Sequence, residues 1–254
     1  MNLELDGSAI VVTGGTRGLG RALVEAFLRE GASVRFCARS GVAVTETKDA
    51  LGGLGDVDGS AVDVADADAY RSWLTRCWDE MNGVDVLVSN ASAMTLDSTP
   101  ESWDACYRVD LQHAVTGVDT IAPRMAEAGG GAIVLVSSVS GLDLRQPPNV
   151  RAYATMKAAL VSFGGLAAQE YASQGVRVNL VSPGSILSEG GFWDGLRSQA
   201  PDMFAQFEAA HALGRMASLP EIVDPILFLA SPRASFVTGA NLRVEGGLVK
   251  GPNF

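Results

Sequence analysis

Tyr153 and Lys157 are the residues whose types and spacing most clearly permit chemistry. They stand four residues apart in a helical apolar pattern that continues through Leu160. On a helix this spacing puts both side chains on one face, one turn apart. An ammonium near a phenol oxygen favours the phenolate, so the pair predicts a tyrosine with a lowered pKa that acts as an acid or base. Taken alone, however, Tyr-x-x-x-Lys is more typical of a solvated helix face.

Serines precede this helix at a second predicted element. The apolar run from Gly131 to Val136 predicts a buried strand, which is followed by Ser137, Ser138 and Ser140. A loop that contains prolines then leads to Tyr153. The sequence therefore predicts that hydroxyl groups at a strand end lie close to the tyrosine and the lysine.

A glycine-rich turn follows the first predicted strand. Residues 8–13 are rich in β-branched side chains, residues 14–20 contain four glycines, and helical spacing begins at Ala22. Glycines in such a turn let the backbone approach a pyrophosphate, whose charge is met by backbone amides and the positive end of the helix. As a bare pattern this signal is weak, because glycines also end strands for structural reasons.

Composition limits the classes of function. The chain has 254 residues, of which 47% are hydrophobic, so it can bury a substantial core. Its formal net charge of −10, with 29 acidic against 19 basic residues, argues against a nucleic-acid surface. Three cysteines lack a metal-binding or disulfide spacing, and no zinc or other metal site is predicted. The acidic amino terminus and the lack of a long apolar run predict a soluble cytoplasmic protein without a membrane partner.

These signals together resemble the short-chain dehydrogenase/reductase family. The resemblance rests on Thr-Gly-x-x-x-Gly-x-Gly at 13–20, on the serines and on Tyr-x-x-x-Lys at 153–157, and it covers nearly the whole chain. The segment from 213 to 247 resembles members close to 3-oxoacyl-carrier-protein reductases. The family implies one α/β domain over 1–254, with a Rossmann-type doubly wound parallel sheet flanked by helices on both faces. Residues 1–130 would mainly bind the dinucleotide, and residues 131–254 would form the catalytic and substrate half.

The resemblance also implies roles for the candidate catalytic residues. Ser138 is selected among the serines because it lies three residues before Gly141, as the family's catalytic serine lies before its glycine. Tyr153 would give a proton to a carbonyl oxygen, and Ser138 would hydrogen-bond the same oxygen. Lys157 would lower the pKa of the tyrosine and hold the nicotinamide ribose. The implied activity is the interconversion of a ketone and a secondary alcohol by hydride transfer.

Cofactor contacts are implied at the turn, at strand ends and at the catalytic helix. The candidates are Gly14, Thr16, Arg17, Gly18, Leu19, Gly20, Arg39, Ser40, Asp63, Val64, Asn90, Ala91, Tyr153, Lys157, Pro183, Gly184 and Ile186. An enzyme that prefers NAD is expected to place an acid after the second strand, where Arg39 and Ser40 stand here. Arg39 and Arg17 could instead grip a 2′-phosphate through their guanidinium groups, which predicts NADP(H) over NAD(H).

Two positions depart from the family's pattern. Ser92 stands where members usually have the glycine of Asn-Ala-Gly, and Asp110 stands at the position of a helix asparagine. That asparagine is understood to hold a water that links the lysine to solvent. A carboxylate can also hold a water, but its charge disfavours a nearby tyrosinate and stabilises the lysine cation. We expect Asp110 to take the place of asparagine in this relay.

Aromatic side chains are dense between residues 187 and 212, which predicts a helical lid over a pocket for a bulky or apolar substrate. The family implies a homotetramer, or a homodimer, through the helices near 101–128 and 153–173 and the last strand. Two other functions stay open. One is an NAD-linked alcohol dehydrogenase that works oxidatively, and the other is a non-enzymatic dinucleotide-binding sensor.

Overall fold

The computed structural model describes residues 2–95 and 97–250, which include the predicted final strand and the predicted lid. Seven parallel strands form one sheet in the order β3-β2-β1-β4-β5-β6-β7. The strands are β1 (Ala9–Thr13), β2 (Ser33–Ala38), β3 (Val57–Ala61), β4 (Val86–Ser89), β5 (Gly131–Val136), β6 (Val176–Pro183) and β7 (Asn241–Val244). The predicted doubly wound parallel sheet is confirmed.

Helices cover both faces of this sheet. They are α1 (Gly18–Arg29), α2 (Gly41–Leu51), α3 (Ala67–Glu80), α4 (Pro100–Cys106), α5 (His113–Glu127), α6 (Arg151–Tyr171), α7 (Phe192–Gln199), α8 (Pro201–Ala210) and α9 (Leu219–Ala230). A π-helical segment, Tyr107–Gln112, joins α4 to α5 without a break. The predicted lid region therefore contains two helices, α7 and α8.

The alternation of side chains along the strands divides the core in two. Ile10 and Val12 of β1 pack with α1, α2 and α9 on one face of the sheet. Val11, between them, packs with α3, α5 and α6 on the other face. Because both faces are covered, the central strands are apolar throughout, as is typical of parallel sheets.

The strand order reverses between β1 and β4, which lie side by side but lead to helices on opposite faces. In sheets of this kind ligands bind in the crevice outside the carboxyl ends of the strands at such a switch point. Within the described part of the chain, no helix is both long and apolar enough to cross a membrane.

Candidate active site

Lys157 is fixed at the carboxyl end of β5 by its own ammonium group. Its side chain is buried, and Nζ donates a hydrogen bond of 3.0 Å to the carbonyl oxygen of Val136, the last residue of β5. The same Nζ lies 5.6 Å from the ring centroid of Tyr153, one turn earlier on α6. The predicted pairing of Tyr153 and Lys157 on one helix face is therefore present in the structure.

Ser138 is the serine that reaches the tyrosine. It follows β5 in an extended conformation and accepts a hydrogen bond of 3.1 Å from the amide of Ser140. Its hydroxyl lies near enough to Tyr153 to lower the pKa of the phenol. Ser137 is buried and donates to the carbonyl oxygen of Lys157 at 3.0 Å. The Ser138 hydroxyl thus lies near the phenol, whereas the Ser137 hydroxyl connects the end of β5 to α6.

The pKa of Tyr153 is raised above its usual value, which is opposite to the net direction expected from the sequence. Burial is the largest cause, and the charge of Lys157 and the hydrogen bond from Ser138 only partly offset it. The carboxylate of Asp110 raises the pKa further. The helical spacing correctly predicted the effect of the lysine, but it could not reveal how strongly the fold desolvates the phenol of this half-buried residue. A tyrosine with a raised pKa stays protonated and is suited to act as an acid.

Asp110 lies in the π-helical segment and is completely buried. Its Oδ1 atom is 3.2 Å from Nζ of Lys157 and accepts a hydrogen bond of 2.5 Å from the hydroxyl of Ser92. Its Oδ2 atom accepts from the amide of Ala93 at 3.3 Å. Asp110 therefore contacts the lysine directly, through a buried salt bridge.

His113 connects the π-helical segment to the sheet. Its backbone N–H donates to the carbonyl of Arg108, five residues back, and its ring Nδ1 lies against the carbonyl of Val109. Because a carbonyl can only accept, Nδ1 carries the hydrogen and Nε2 is the acceptor. Nε2 faces the hydroxyls of Ser89 at 2.8 Å and Thr13 at 3.3 Å. Burial lowers the pKa of His113 to about 4, so the ring is neutral at neutral pH.

The sequence alone predicts no contact of His113 or Ser92 with the other site residues. No motif surrounds His113, and its anchoring role depends on a π-helical segment that apolar periodicity does not reveal. For Ser92, the sequence shows only that it stands where the family usually has glycine, two residues after Asn90. Its partner Asp110 is 18 residues away.

In the glycine-rich turn, backbone atoms of residues 14 and 20 pack against each other without room for a side chain at Gly20. Gly14 has a φ of +73°, in the left-handed region that favours glycine. A Cβ on Gly20 would lie only 2.0 Å from the carbonyl oxygen of Gly14. The side-chain amide of Asn90 donates to the carbonyl of Thr13 at 2.9 Å, and the Thr13 hydroxyl accepts from the amides of Asn90 and Ala91. The predicted residues Asn90 and Ala91 therefore hold the strand from which the turn departs.

The amino end of α1 is open to a ligand of negative charge. Arg17 is its N-cap residue and its side chain makes no capping hydrogen bond. Thr16, Gly18 and Leu19 belong to the same turn, and Leu19 packs against the core. Arg17 and Arg39 are exposed, and neither makes a salt bridge among the described residues. Ser40 caps α2 by accepting a hydrogen bond of 3.3 Å from the amide of Ala43.

The remaining predicted cofactor residues lie at the carboxyl ends of β3 and β6. Asp63 is exposed and lines a cavity of about 430 Å³ together with Asp66, Asp68, Arg108 and Gln112, while the Val64 side chain is in the core. Pro183 ends β6. Gly184 donates to the Val244 carbonyl at 2.9 Å, and a Cβ on Gly184 would lie 2.9 Å from Cα of Glu245. Ile186 forms an isolated bridge with Ala217.

Comparison with known proteins identifies the family. The family model described as Enoyl-(Acyl carrier protein) reductase matches residues 14–249. The chain is 34% identical to isoepoxydon dehydrogenase patN of Penicillium expansum, over 98% of both chains. It is 31% identical to 3-oxoacyl-[acyl-carrier-protein] reductase FabG of Thermotoga maritima, over 97% of this chain and all of the other. The chain belongs to the short-chain dehydrogenase/reductase family.

Solved structures of short-chain dehydrogenase/reductases agree with this fold. L-sorbose reductase of Gluconobacter frateurii, complexed with NADPH and L-sorbose, matches with a TM-score of 0.87 and 28% identity, over 99% of this chain and all of the other. A 7α-hydroxysteroid dehydrogenase complexed with NADH matches with a TM-score of 0.88 and 28% identity, over 99% and 98%. Membership makes this chain an oxidoreductase. The two similar structures hold different nicotinamide cofactors.

Proposed function

We propose that the chain is an NADPH-dependent reductase that interconverts a ketone and a secondary alcohol, with Tyr153 as the acid and base. The arrangement of Ser138, Tyr153 and Lys157 at the carboxyl edge of the sheet carries this proposal. The Ser138 hydroxyl and the Tyr153 phenol are close enough for both to reach one carbonyl oxygen, and the buried ammonium of Lys157 lies 5.6 Å from the centroid of the phenol ring. This arrangement provides proton donors where negative charge develops in carbonyl reduction.

The turn between β1 and α1 fits the phosphates of a dinucleotide. The lack of a side chain at Gly20 permits its contact with the Gly14 carbonyl, and the uncapped amino end of α1 offers free amides and a positive dipole. At the other end of the site, Pro183, Gly184 and Ile186 would meet the nicotinamide, and Lys157 its ribose. When bound, NADPH supplies the hydride for the carbonyl carbon.

The residues of the chain would handle the proton. In reduction, the Ser138 hydroxyl hydrogen-bonds the carbonyl oxygen and orients the substrate. Tyr153 gives its proton to this oxygen as the alcohol forms, and the charge of Lys157 stabilises the phenolate that remains. The raised pKa of Tyr153 favours this direction, because the phenol stays protonated at neutral pH. Asp110 would take the place of the family's asparagine beside the lysine.

We propose NADPH over NADH because Arg17 and Arg39 are exposed guanidinium groups and no acid follows β2 at 39 or 40. The NADPH of the similar L-sorbose reductase supports this choice, whereas the NADH of the similar hydroxysteroid dehydrogenase favours the NAD-linked alternative. Initial rates with each cofactor test the preference. We expect Arg39→Ala to lower the preference for NADPH by about tenfold, as expected for the loss of a charge-assisted contact of roughly 1.4 kcal/mol. A wild-type preference for NADH contradicts the assignment.

The proposal extends to the kind of substrate, the oligomeric state and the cellular location of the protein. Phe192 and Phe207 are partly exposed on α7 and α8, which suits a bulky or apolar carbonyl compound at the 187–212 lid. Exposed apolar side chains on the helical stretch 100–127 and on α6, among them Tyr107 and Leu166, suit a homotetramer or homodimer. We place the protein in the cytoplasm, as one domain with a cofactor half (1–130) and a catalytic half (131–254).

The test is NADPH consumption by the purified protein against a panel of ketones: a 3-oxoacyl thioester, a β-keto ester, a cyclic diketone and an aromatic ketone. Tyr153→Phe removes the proton donor, and we expect it to lower the rate by at least about a hundredfold. Tyr171→Phe, near the end of the same helix, is the matched control and should keep the wild-type rate. NADPH binding without turnover of any ketone supports the sensor instead, and full activity of Tyr153→Phe overturns the mechanism.

A further inference from the structure

Ser92 and Asp110 contact each other, although the sequence singled them out as two separate departures from the family's pattern. Ser92 lies in the loop after β4, and Asp110 lies in the π-helical segment. The Ser92 hydroxyl donates to Oδ1 of Asp110 at 2.5 Å, and this oxygen also faces Nζ of Lys157 at 3.2 Å. The serine thus acts on the catalytic lysine only through the carboxylate.

Burial makes the orientation of this carboxylate important. The side chains of Asp110 and Lys157 are 0% and 3% exposed, so water does little to screen the pair. A buried salt bridge is favourable only when the remaining donors and acceptors are satisfied. Ser92 and the amide of Ala93 donate to the two carboxylate oxygens, and the Val136 carbonyl accepts from Nζ. These contacts fix which side of the ammonium the negative charge occupies.

The charged groups around the Tyr153 phenol come from two elements. Lys157 lies on the same helix, and Asp110 lies on the π-helical segment packed against it. Two more titratable groups of that stretch, Cys106 and His113, are close but neutral at neutral pH, because burial raises the pKa of the thiol and lowers that of the imidazole. From the loop after β5, Ser138 contributes an uncharged hydroxyl. The acid and the lysine therefore dominate the field at the phenol.

We propose that Ser92 and Asp110 are a matched pair of positioning residues: Ser92 holds the Asp110 carboxylate against the Lys157 ammonium, and the carboxylate keeps the proton on Tyr153 at alkaline pH. The pair adapts the site to reduction, in which the tyrosine must begin protonated. This inference rests on the proposed role of Tyr153 as acid and base. It goes further by naming two residues that set the working pH range without touching the substrate.

The sign of the effect follows from the charge of Asp110, which favours the protonated form of Tyr153. Replacing Asp110 by a neutral amide of the same shape therefore moves proton loss from Tyr153 to lower pH. A purely structural role for Asp110 predicts weaker stability or activity at every pH, without such a displacement.

The first experiment is an alkaline titration followed by tyrosinate absorbance. Each protein is compared with the same protein carrying Tyr153→Phe, so that the difference isolates Tyr153 among the four tyrosines. In the wild type we expect no Tyr153 phenolate below the usual value of 10. In Asp110→Asn the midpoint should fall by about one pH unit or more. The alkaline limb of NADPH oxidation with a reducible ketone should move in the same direction.

Ser92→Ala tests the other half of the pair. We expect a smaller displacement in the same direction, because the carboxylate keeps its charge but loses the donor that orients it. When combined with Asp110→Asn, Ser92→Ala should cause no further displacement, because the serine acts only through the acid. If Asp110→Asn does not fold, Ser92→Ala by itself still decides the matter, since an unchanged midpoint contradicts the proposal.

Asp104→Asn is the matched control. It removes the same charge from the same helical stretch, but Asp104 is exposed and pairs with Arg108 at 2.8 Å. We expect no measurable displacement, because solvent screens this charge. A control that shifts the midpoint as much as Asp110→Asn, or an Asp110→Asn midpoint equal to that of the wild type, overturns the inference. The titration needs no turnover, so it can succeed or fail independently of the proposed reaction.

Discussion

The glycine-rich turn at 14–20 and the proposed lid at 187–212 are built differently. At the turn, backbone atoms approach closely, and Thr13 and Asn90 hold the strand end with directed hydrogen bonds. Of the two lid helices, α7 buries no residue and α8 buries only Phe204. The proposed cofactor end thus depends on backbone geometry, whereas the proposed substrate end depends on partly exposed side chains. Substitutions should be tolerated much better in the lid than in the turn.

Adding one methyl group at each end gives the sharpest test of this difference. Gly20→Ala places a Cβ against the Gly14 carbonyl, and we expect it to lower the free energy of unfolding by about 3 kcal/mol and to abolish NADPH binding. Gly195→Ala, in α7, meets only the flexible end of Gln199 at 3.9 Å. It should raise helix stability by about 0.5–1 kcal/mol. Urea unfolding and NADPH fluorescence titration measure both effects.

Equal tolerance of the two substitutions would remove the contrast, since it would mean that the turn can shift as freely as the lid. A Gly20→Ala protein that unfolds like the wild type but no longer binds NADPH would also be informative. It would confine the requirement for glycine to the cofactor and leave the fold independent of this contact.

This contrast also explains what the sequence could predict. The sheet, the turn and the Tyr153–Lys157 pair are local patterns, because their residues are near each other in the chain and follow the period of one element. The contact of Ser92 with Asp110 joins different elements, and the π-helical segment that brings Asp110 to the lysine leaves no clear trace in apolar periodicity. The pKa of Tyr153 was expected in the wrong direction because burial depends on the whole fold. The roles of the individual site residues stay predictions.

Acid should weaken the turn end of the site through His113. The folded protein resists protonation of this histidine until pH falls to about 4, whereas its usual pKa is 6.5. Between these values the unfolded chain binds more protons. The stabilising contribution of neutral His113 is therefore complete above pH 6.5 and is lost as pH falls towards 4, by about 3 kcal/mol at most. Protonated Nε2 can no longer accept from Ser89, so the support of Thr13 and the turn should loosen as well.

Unfolding free energies at neutral pH and near pH 4, for the wild type and His113→Gln, isolate this contribution from that of the carboxylates. The variant lacks the titrating ring and should lose less stability between the two conditions than the wild type does. An equal loss in both proteins contradicts the role assigned to His113. NADPH affinity should follow the same trend, because the affected hydrogen bonds end at Thr13.

The smallest effect on global stability is expected at Trp193 in the lid. Its ring packs edge-on against Phe192 at 5.0 Å and Phe207 at 4.9 Å, and the second contact joins α7 to α8. Such aromatic contacts contribute about 0.5–1.5 kcal/mol each, but they stabilise a unit that can open locally without unfolding the sheet. We therefore expect Trp193→Ala to change the global free energy of unfolding by less than about 1 kcal/mol and to leave NADPH affinity unchanged.

Local measurements should detect what global unfolding misses in this variant. Protease cleavage within 187–212 should become faster, and the KM for a reducible ketone should rise while kcat changes less, since a looser lid weakens substrate binding more than proton transfer. Trp103→Ala, at a partly exposed tryptophan of α4, is the control and should leave cleavage in the lid unchanged. If Trp193→Ala instead lowers NADPH affinity, the lid also supports the cofactor end, and the two regions form one cooperative unit.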